Sequence, residues 1–453
     1  MKEKTIVIYA ECRNPKTKGE KKLAINIALS IIKRNTGHKI ILSGQADTLS
    51  VYVHLSEKSL PDNKIIVEGT EVNLACLDEI NPELDDIVLY IEVNRCNPCP
   101  IDKLQQILNP DTRIVFIGTP KWAGYDLDTF LKESSKRAAQ TVPSLLEKYL
   151  HEEKKLSFFP TGMGPATAGL PRLHKHHEHT SELTQYFSDK QYGFIYAKHT
   201  TERDYVNNDI PPREKDIQFI LDYIKLSLHF MNPTKSYHFV LIGAHDSILQ
   251  ELISRCQSLL SQKFKFRLTA ESSDVERFSD SVLKSREVDE TLAVSHLTIA
   301  DSKMGSSMHF FSKVNAADMR YLCNHAIPFV AMTGTQSALE AAESGKIFLY
   351  QYLEENKAFS DDFKNTVFSE TENYDFSPEI KKNMMNLVNL LINETSLDDE
   401  QKTELVELLS DETLCANLCN IYQKLVNDAG DKLTDKIIEQ LETSTTPDLS
   451  YIY

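Results

Sequence analysis

Residues 329–352 read FVAMTGTQSALEAAESGKIFLYQY, an apolar run, a turn of small and polar residues, a short Ala/Glu helix, a Gly-Lys break and a second apolar run. The start of a helix presents unpaired N–H groups and a partial positive charge, which is chemistry for holding phosphate. Gly334 lets an anion approach the turn closely, and Thr335 and Gln336 line it. The pattern predicts a strand over Phe329–Met332, a helix over Ala338–Glu343 and Ser337 as its N-cap. Glu340 follows one turn later, where a carboxylate suits the two vicinal hydroxyls of a ribose.

Two other stretches carry chemistry. The loop TGMGPATAGLPRLHKHHEH (161–179) combines small residues with Arg172 and a histidine cluster. Loops of this kind line binding clefts on rigid α/β scaffolds, with Gly162 and Gly164 giving close approach and Arg172 facing an anion. The histidines match no ordinary metal-ligand spacing. Lys198-His199-Thr200 follows the strand-like YGFIYA, and His199 titrates in the range needed for proton transfer near neutral pH. Of the eight cysteines only Cys96 and Cys99 form a CxxC, and without a second pair they read as reduced thiols on a proline-bracketed turn.

The elements that must position these groups follow from periodicity. TIVIY (5–9), HKIILSG, DIVLYIEV (86–93), TRIVFIG (112–118), YGFIYAK (192–198), YHFVLIGA (237–244), FKFRLTA, SMHFFSK and PFVAMTG are apolar runs bounded by turn residues, as expected of strands buried in parallel sheets. Helical spacing appears in LAINIALSIIKR, LQQILN, SLLEKYLHEEKKL (144–156), DIQFILDYIKLSLHFM (216–231), SILQELISRCQSLLSQ, AADMRYLCNHA and most of 375–445. Asn232-Pro233 ends a helix and marks the predicted domain boundary.

The predicted architecture is therefore α/β: two Rossmann-like domains facing across a cleft, at 1–232 and 233–375, with a helical segment at 376–453. The length of 453 residues exceeds one ordinary core. Fifty Lys and Arg against 66 Asp and Glu give a net charge of −16, which disfavours nucleic acid as a partner. No run reaches the roughly 18 apolar residues of a membrane span, and the apolar stretch before Glu11, about six residues, is too short for a signal-peptide core. The expectation is a soluble cytoplasmic protein.

Residues 309–350, HFFSKVNAADMRYLCNHAIPFVAMTGTQSALEAAESGKIFLY, resemble the carboxyl-terminal nucleotide-sugar-binding region of GT-B glycosyltransferases. The matching features are Phe310-Phe311, Asp318-Met319, the strand Pro328 to Met332, Gly334, Ser337, Glu340-Ala341 and Gly345-Lys346. Thr-Gly-Thr-Gln stands where that family usually has His-Gly-Gly-X-Gly. The resemblance implies a donor base near Phe311, phosphates at Gly334 to Ser337 and also at Gly243, and ribose at Glu340. It further implies sugar contacts from Gln351 or Asn356 in the next loop, and acceptor contacts after the first strand. A general base such as Glu11 fits that last position, since the acceptor must lose a proton as it attacks the anomeric carbon.

The implied activity is metal-independent transfer of a sugar from a nucleotide diphosphate to a protein, glycan or small-molecule acceptor. The nucleotide-sugar is a co-substrate and no other cofactor is expected. A nucleotide-sugar epimerase and a GT-B-like binding protein without chemistry are the alternatives. No GxGxxG follows the strand at 5–9 or that at 237–242, which disfavours a dinucleotide oxidoreductase.

Overall fold

The computed structural model describes residues 2–11, 19–56, 58–93, 99, 101–118, 122–137, 156–171, 181–198, 212–231, 238–243, 251–252, 254–255, 269–270, 296–301, 306–311, 314, 316–394 and 396–442. The predicted helices at 144–156 and SILQELISRCQSLLSQ lie largely outside these residues, as do Cys96 and Asn232-Pro233. The chain divides into one unit of Met1–Lys175 with Asn427–Tyr453, and a second of His176–Val426.

In the first unit, β1 (Glu3–Tyr9) is β-branched from Thr5 to Ile8, and Ile6, Val7 and Ile8 are wholly buried. Its loop leads to α1 (Gly19–Lys33), whose apolar side carries Ala24, Ile25, Ile27, Ala28 and Ile31 into the core. The following elements are β2 (Lys39–Gly44), α2 (Ala46–Leu55), β3 (Lys58–Leu60), β4 (Lys64–Val67), β5 (Thr70–Cys76), β6 (Asp85–Val93), α3 (Ile101–Ile107), β7 (Arg113–Gly118), α4 (Leu127–Arg137) and β8 (Leu156–Pro160).

Among the described residues the strands form one sheet in the order β3-β4-β5-β2-β1-β6-β7-β8. It is parallel from β5 to β8. The meander β3-β4-β5 is antiparallel and closes one edge, which the reading of uniformly parallel strands did not include. Strand β1 lies between β2 and β6, so the strand order reverses there, at the place where open α/β sheets bind ligands.

The second unit begins with α5 (Glu182–Phe187), β9 (Tyr192–Tyr196) and α6 (Pro212–Ser227). Then come β10 (His238–Ile242), β11 (Thr269–Ala270), β12 (His296–Asp301), β13 (Ser306–Phe311), α7 (Ala316–His325), β14 (Phe329–Met332), α8 (Thr335–Glu343) and β15 (Ile347–Tyr350). The sheet order is β11-β12-β13-β10-β9-β14-β15. Its five strands from β13 to β15 are parallel, and β11 and β12 add an antiparallel edge.

This order corrects the boundary at 232. Strand β9 is hydrogen-bonded between β10 and β14 and is the first strand of the second sheet, so the division falls between residues 175 and 176. The helices α9 (Lys357–Glu372), α10 (Pro378–Leu391), α11 (Asp399–Ser410), α12 (Glu412–Ala429) and α13 (Lys432–Glu442) are not a separate body either. Phe359, Phe363 and Tyr422 pack on Phe348 and Tyr350 of β15. Leu433, Ile437 and Leu441 of α13 join the core of the first unit beside α1.

Where β9 meets β14 the paired register is short, with Ala331 opposite Ile195. A side chain completes the ladder: the Phe194 N–H donates to the Tyr223 hydroxyl at 3.1 Å, and that hydroxyl donates to the Phe329 carbonyl at 2.8 Å. Tyr223 lies on α6, is wholly buried, and its phenol is pushed far above the ordinary range by burial. Tyr223→Phe orphans a buried donor and a buried acceptor. We expect it to destabilise the protein by about 1–3 kcal/mol in chemical denaturation, with the polypeptide still folded.

Candidate functional site

The order of the second sheet places its reversal between β9 and β14, with β10 on the far side of β9 and β15 on the far side of β14. Around the carboxyl ends of these strands lie Tyr196 to Lys198, Gly243, Thr333 to Ser337 and Gln351.

Helix α8 begins at Thr335, one turn earlier than the predicted start at Ala338, and Gly334 rather than Ser337 is its N-cap. Ser337 prefers the cap in isolation, but Gly334 has φ +77°, a left-handed conformation that other side chains adopt at a cost, and so it makes the turn. As a glycine, Gly334 offers no side-chain cap to this terminus. The first backbone bond back to the turn is Ala338 N–H to the Gly334 carbonyl at 3.1 Å, which leaves Thr335, Gln336 and Ser337 as the first-turn N–H groups. A Cβ built on Gly334 would meet no atom of the described residues within 4 Å, so among them space adjoins the turn. Beside it the Thr333 hydroxyl is buried and has no hydrogen-bond partner among the described residues.

Glu340 is buried, and its Oε1 accepts from Arg320 Nη2 and from Gln336 Nε2, both at 3.2 Å. The carboxylate is thus oriented by a cation on α7 and by an amide one turn before it. Tyr196, at the end of β9, is the neighbour that the sequence reading missed. Its phenol is raised by burial and then by the Glu340 charge, while Lys198 acts in the opposite sense. The assignment of β9 to the wrong sheet hid it.

The Gly-Lys break is structural. Gly345 N–H bonds the Ala342 carbonyl and Lys346 N–H bonds Ala341, closing α8 with a Schellman motif. The Lys346 amine donates to the Ala326 carbonyl at 2.6 Å, just past the end of α7, and burial lowers its pKa.

Three expectations change. Gln351 does not present its amide to a ligand: its Oε1 accepts from Lys198 N–H at 2.9 Å, and its Nε2 donates to the Lys198 carbonyl at 3.1 Å and to Asp216 at 3.0 Å. With its own N–H bonded to Met332 O, Gln351 ties the ends of β9 and β14 together. Phe311 is wholly buried with its ring beside His309, so it offers no face to a base. Gly243 has φ +92°, and a Cβ there would lie 2.1 Å from the Ala197 carbonyl, so close strand packing demands this glycine irrespective of any phosphate. Asn356 keeps its candidacy, because it is buried and its Nδ2 has no partner among the described residues.

In the first unit Glu11 is buried at the end of β1, and its Oε2 accepts from Gln45 N–H at 3.0 Å and Thr48 Oγ1 at 2.6 Å. It caps α2, where a carboxylate is favoured by the helix dipole. The loop read as a cleft rim folds back on the chain. Gly162 N–H bonds Gly169 O, the Gly164 carbonyl accepts from Thr167, and Leu170 N–H bonds Ala429 O at 2.8 Å. A Cβ on Gly169 would lie 2.9 Å from the Ala429 carbonyl, and Ala168 is in the core of the first unit, so these two positions serve close packing. Arg172 and His199 lie outside the described residues, and the strand before His199 belongs to the second unit. Among the described residues no helix is long and apolar enough to cross a membrane.

No family model and no curated protein matches this chain. Solved structures align with it along nearly its whole length. A UDP-glucose:anthocyanidin 3-O-glucosyltransferase in complex with UDP is 10% identical, with a TM-score of 0.42 over 98% of this chain and 100% of that one. The sucrose-phosphate synthase of Thermosynechococcus elongatus is 9% identical, with a TM-score of 0.41 over 97% and 99%. The S. aureus protein MnaA, solved with UDP, is 11% identical, with a TM-score of 0.40 over 97% and 96%.

The role of Gln351 is open to direct test. Gln351→Leu removes the amide that serves both backbone groups of Lys198, and we expect a loss of about 2–3 kcal/mol in denaturant melts. A loss below about 0.5 kcal/mol would show that the tie is dispensable.

Proposed function

We propose that this chain is a GT-B-type glycosyltransferase whose second unit binds a nucleotide-diphosphate sugar and whose first unit takes the acceptor. The observation that carries the reading is, among the described residues, the amino terminus of α8 without a side-chain cap, the open space at Gly334 and the buried, unpartnered Thr333 hydroxyl beside it. A buried hydroxyl without a partner is costly, and a phosphate oxygen would satisfy it together with the N–H groups of Thr335, Gln336 and Ser337.

In this reading the diphosphate lies on Gly334–Ser337, and Glu340, held by Arg320 and Gln336, accepts from the ribose hydroxyls. Asn356 donates to the sugar. As the glycosidic bond breaks, negative charge grows on the departing diphosphate, and fixed N–H dipoles stabilise it without reorganisation and without a required metal. The acceptor is a protein, glycan or small molecule that loses its proton to a base. A binding protein of the same fold without transfer chemistry is favoured by one observation, the engagement of the Glu11 carboxylate as the cap of α2.

A thermal-shift panel of UDP, GDP, dTDP, ADP and NAD tests the donor site. One nucleoside diphosphate is expected to stabilise the protein, by about 2.7 kcal/mol at a hundredfold excess over Kd. Thr333→Val should weaken that binding about tenfold while leaving the unliganded protein as stable as before, because it deletes a group with no partner. Glu340→Ala should abolish the shift. No shift with any of the five would remove the nucleotide reading. Sugar release from the matching donor, with and without acceptors, then separates transfer from binding.

A further inference from the structure

Helix α6 meets the joint between β9 and β14 at two points seven residues apart. Tyr223 accepts from the Phe194 N–H and donates to the carbonyl of Phe329, the first residue of β14. Two turns earlier Asp216 is wholly buried, and its Oδ1 accepts from Gln351 Nε2 at 3.0 Å. The Gln351 N–H in turn bonds the carbonyl of Met332, the last residue of β14, at 2.8 Å. Seven helical residues rise about 10.5 Å and three strand residues about 10 Å, so the two contacts serve opposite ends of the same strand.

The residue type at 216 is not the one that packing favours. Its helix neighbours Ile217, Ile220, Tyr223 and Ile224 are all buried, and a carboxyl withdrawn from water there costs more than an apolar side chain of similar size. Asp216 is the fifth residue of α6, past the first turn, where an acid gains most from the helix dipole. What the carboxyl supplies is an acceptor for Gln351 Nε2, whose other bond goes to the Lys198 carbonyl at 3.1 Å. With Nε2 engaged twice and Oε1 on the Lys198 N–H at 2.9 Å, the Gln351 side chain is fixed in one orientation. Gln351 thus carries a contact from the core face of α6 to the last peptide of β14. The residues that follow are Thr333 and Gly334.

We infer that Asp216 is a positioning residue of the nucleotide site, acting through Gln351 on the turn at Thr333 and Gly334. That the ligand is a nucleotide rests on the proposed function; that Asp216 holds the strand ends does not. The two contacts of α6 then differ in kind. Tyr223, at the amino end of β14, contributes stability, and Asp216, at the carboxyl end, contributes ligand affinity.

The test uses the full chain as wild type, Asp216→Ala, Asp216→Asn and Tyr223→Phe, with Asp216→Leu in place of Ala if that variant fails to fold. Hydrogen exchange at the Lys198 amide is followed without ligand, and UDP, GDP, dTDP and ADP are titrated by calorimetry well below the melting temperature. Asp216→Ala is expected to speed Lys198 exchange at least about tenfold, because the side chain that holds this N–H loses its anchor, and to weaken binding of the nucleotide that wild type takes by about tenfold. Asp216→Asn keeps an acceptor and should stay within about threefold of wild type in both measurements. Tyr223→Phe should lower the melting temperature and leave the dissociation constant within about threefold, which separates positioning from a general loss of stability. Unchanged Lys198 exchange in Asp216→Ala, an affinity loss no larger than that of Tyr223→Phe, or an Asn variant as impaired as Ala would overturn the inference. If wild type binds none of the four nucleotides, the nucleotide reading falls, and Lys198 exchange alone then decides whether Asp216 holds the strand ends.

Discussion

The second unit depends on how β9 and β14 are joined. In a doubly wound sheet the two strands at the reversal carry their connections to opposite faces, so the carboxyl edge is open between them. In this protein the Tyr223 hydroxyl bridges Phe194 and Phe329, and Gln351 joins the ends of the strands through its side-chain amide on Lys198 and its own backbone N–H on the Met332 carbonyl. Both bridging side chains are buried, where a lost partner costs most. The seam fixes where Tyr196 and Thr333 stand relative to each other, and with them the amino terminus of α8.

From that constraint the chemistry follows in order. Gly334 turns the chain from β14 into α8 without a side-chain cap, which leaves a helix terminus whose donors suit an anion. Arg320 and Gln336 orient Glu340 one turn further on. The Schellman closure at Gly345 and Lys346 then returns the chain to β15, whose following residue, Gln351, is the seam itself. The short helix is therefore a connector between two strands that it also helps to align, and its first-turn N–H groups are the ones on which the proposed function draws.

Much of this was legible in the sequence. The apolar runs at 5–9, 86–93, 112–118 and 329–332 read as buried strands because β-branched residues and flanking turn residues are local signals. The partner of a strand is not local. YGFIYAK has the same composition in either sheet, and its pairing with β10 and β14, which no local signal at Asn232-Pro233 reports, decides the boundary. Glu11 reads identically as a base or as a helix cap, and its partners Gln45 and Thr48 lie more than thirty residues away. Ser337 carried the stronger local capping preference, and it lost to the backbone geometry that Gly334 alone makes easy. The carboxyl-terminal helices were visible, but α13 packs into the first unit through a long-range apolar face that periodicity does not assign to any partner.

The central claim is that the amino terminus of α8 holds a nucleoside diphosphate. The most direct measurement is a crystal structure of the chain saturated with the nucleoside diphosphate that stabilises it. We expect a phosphate oxygen within about 3 Å of the N–H groups of Thr335 to Ser337 and of the Thr333 hydroxyl. A fully occupied nucleotide elsewhere in the second unit, with those groups bare, would contradict the account.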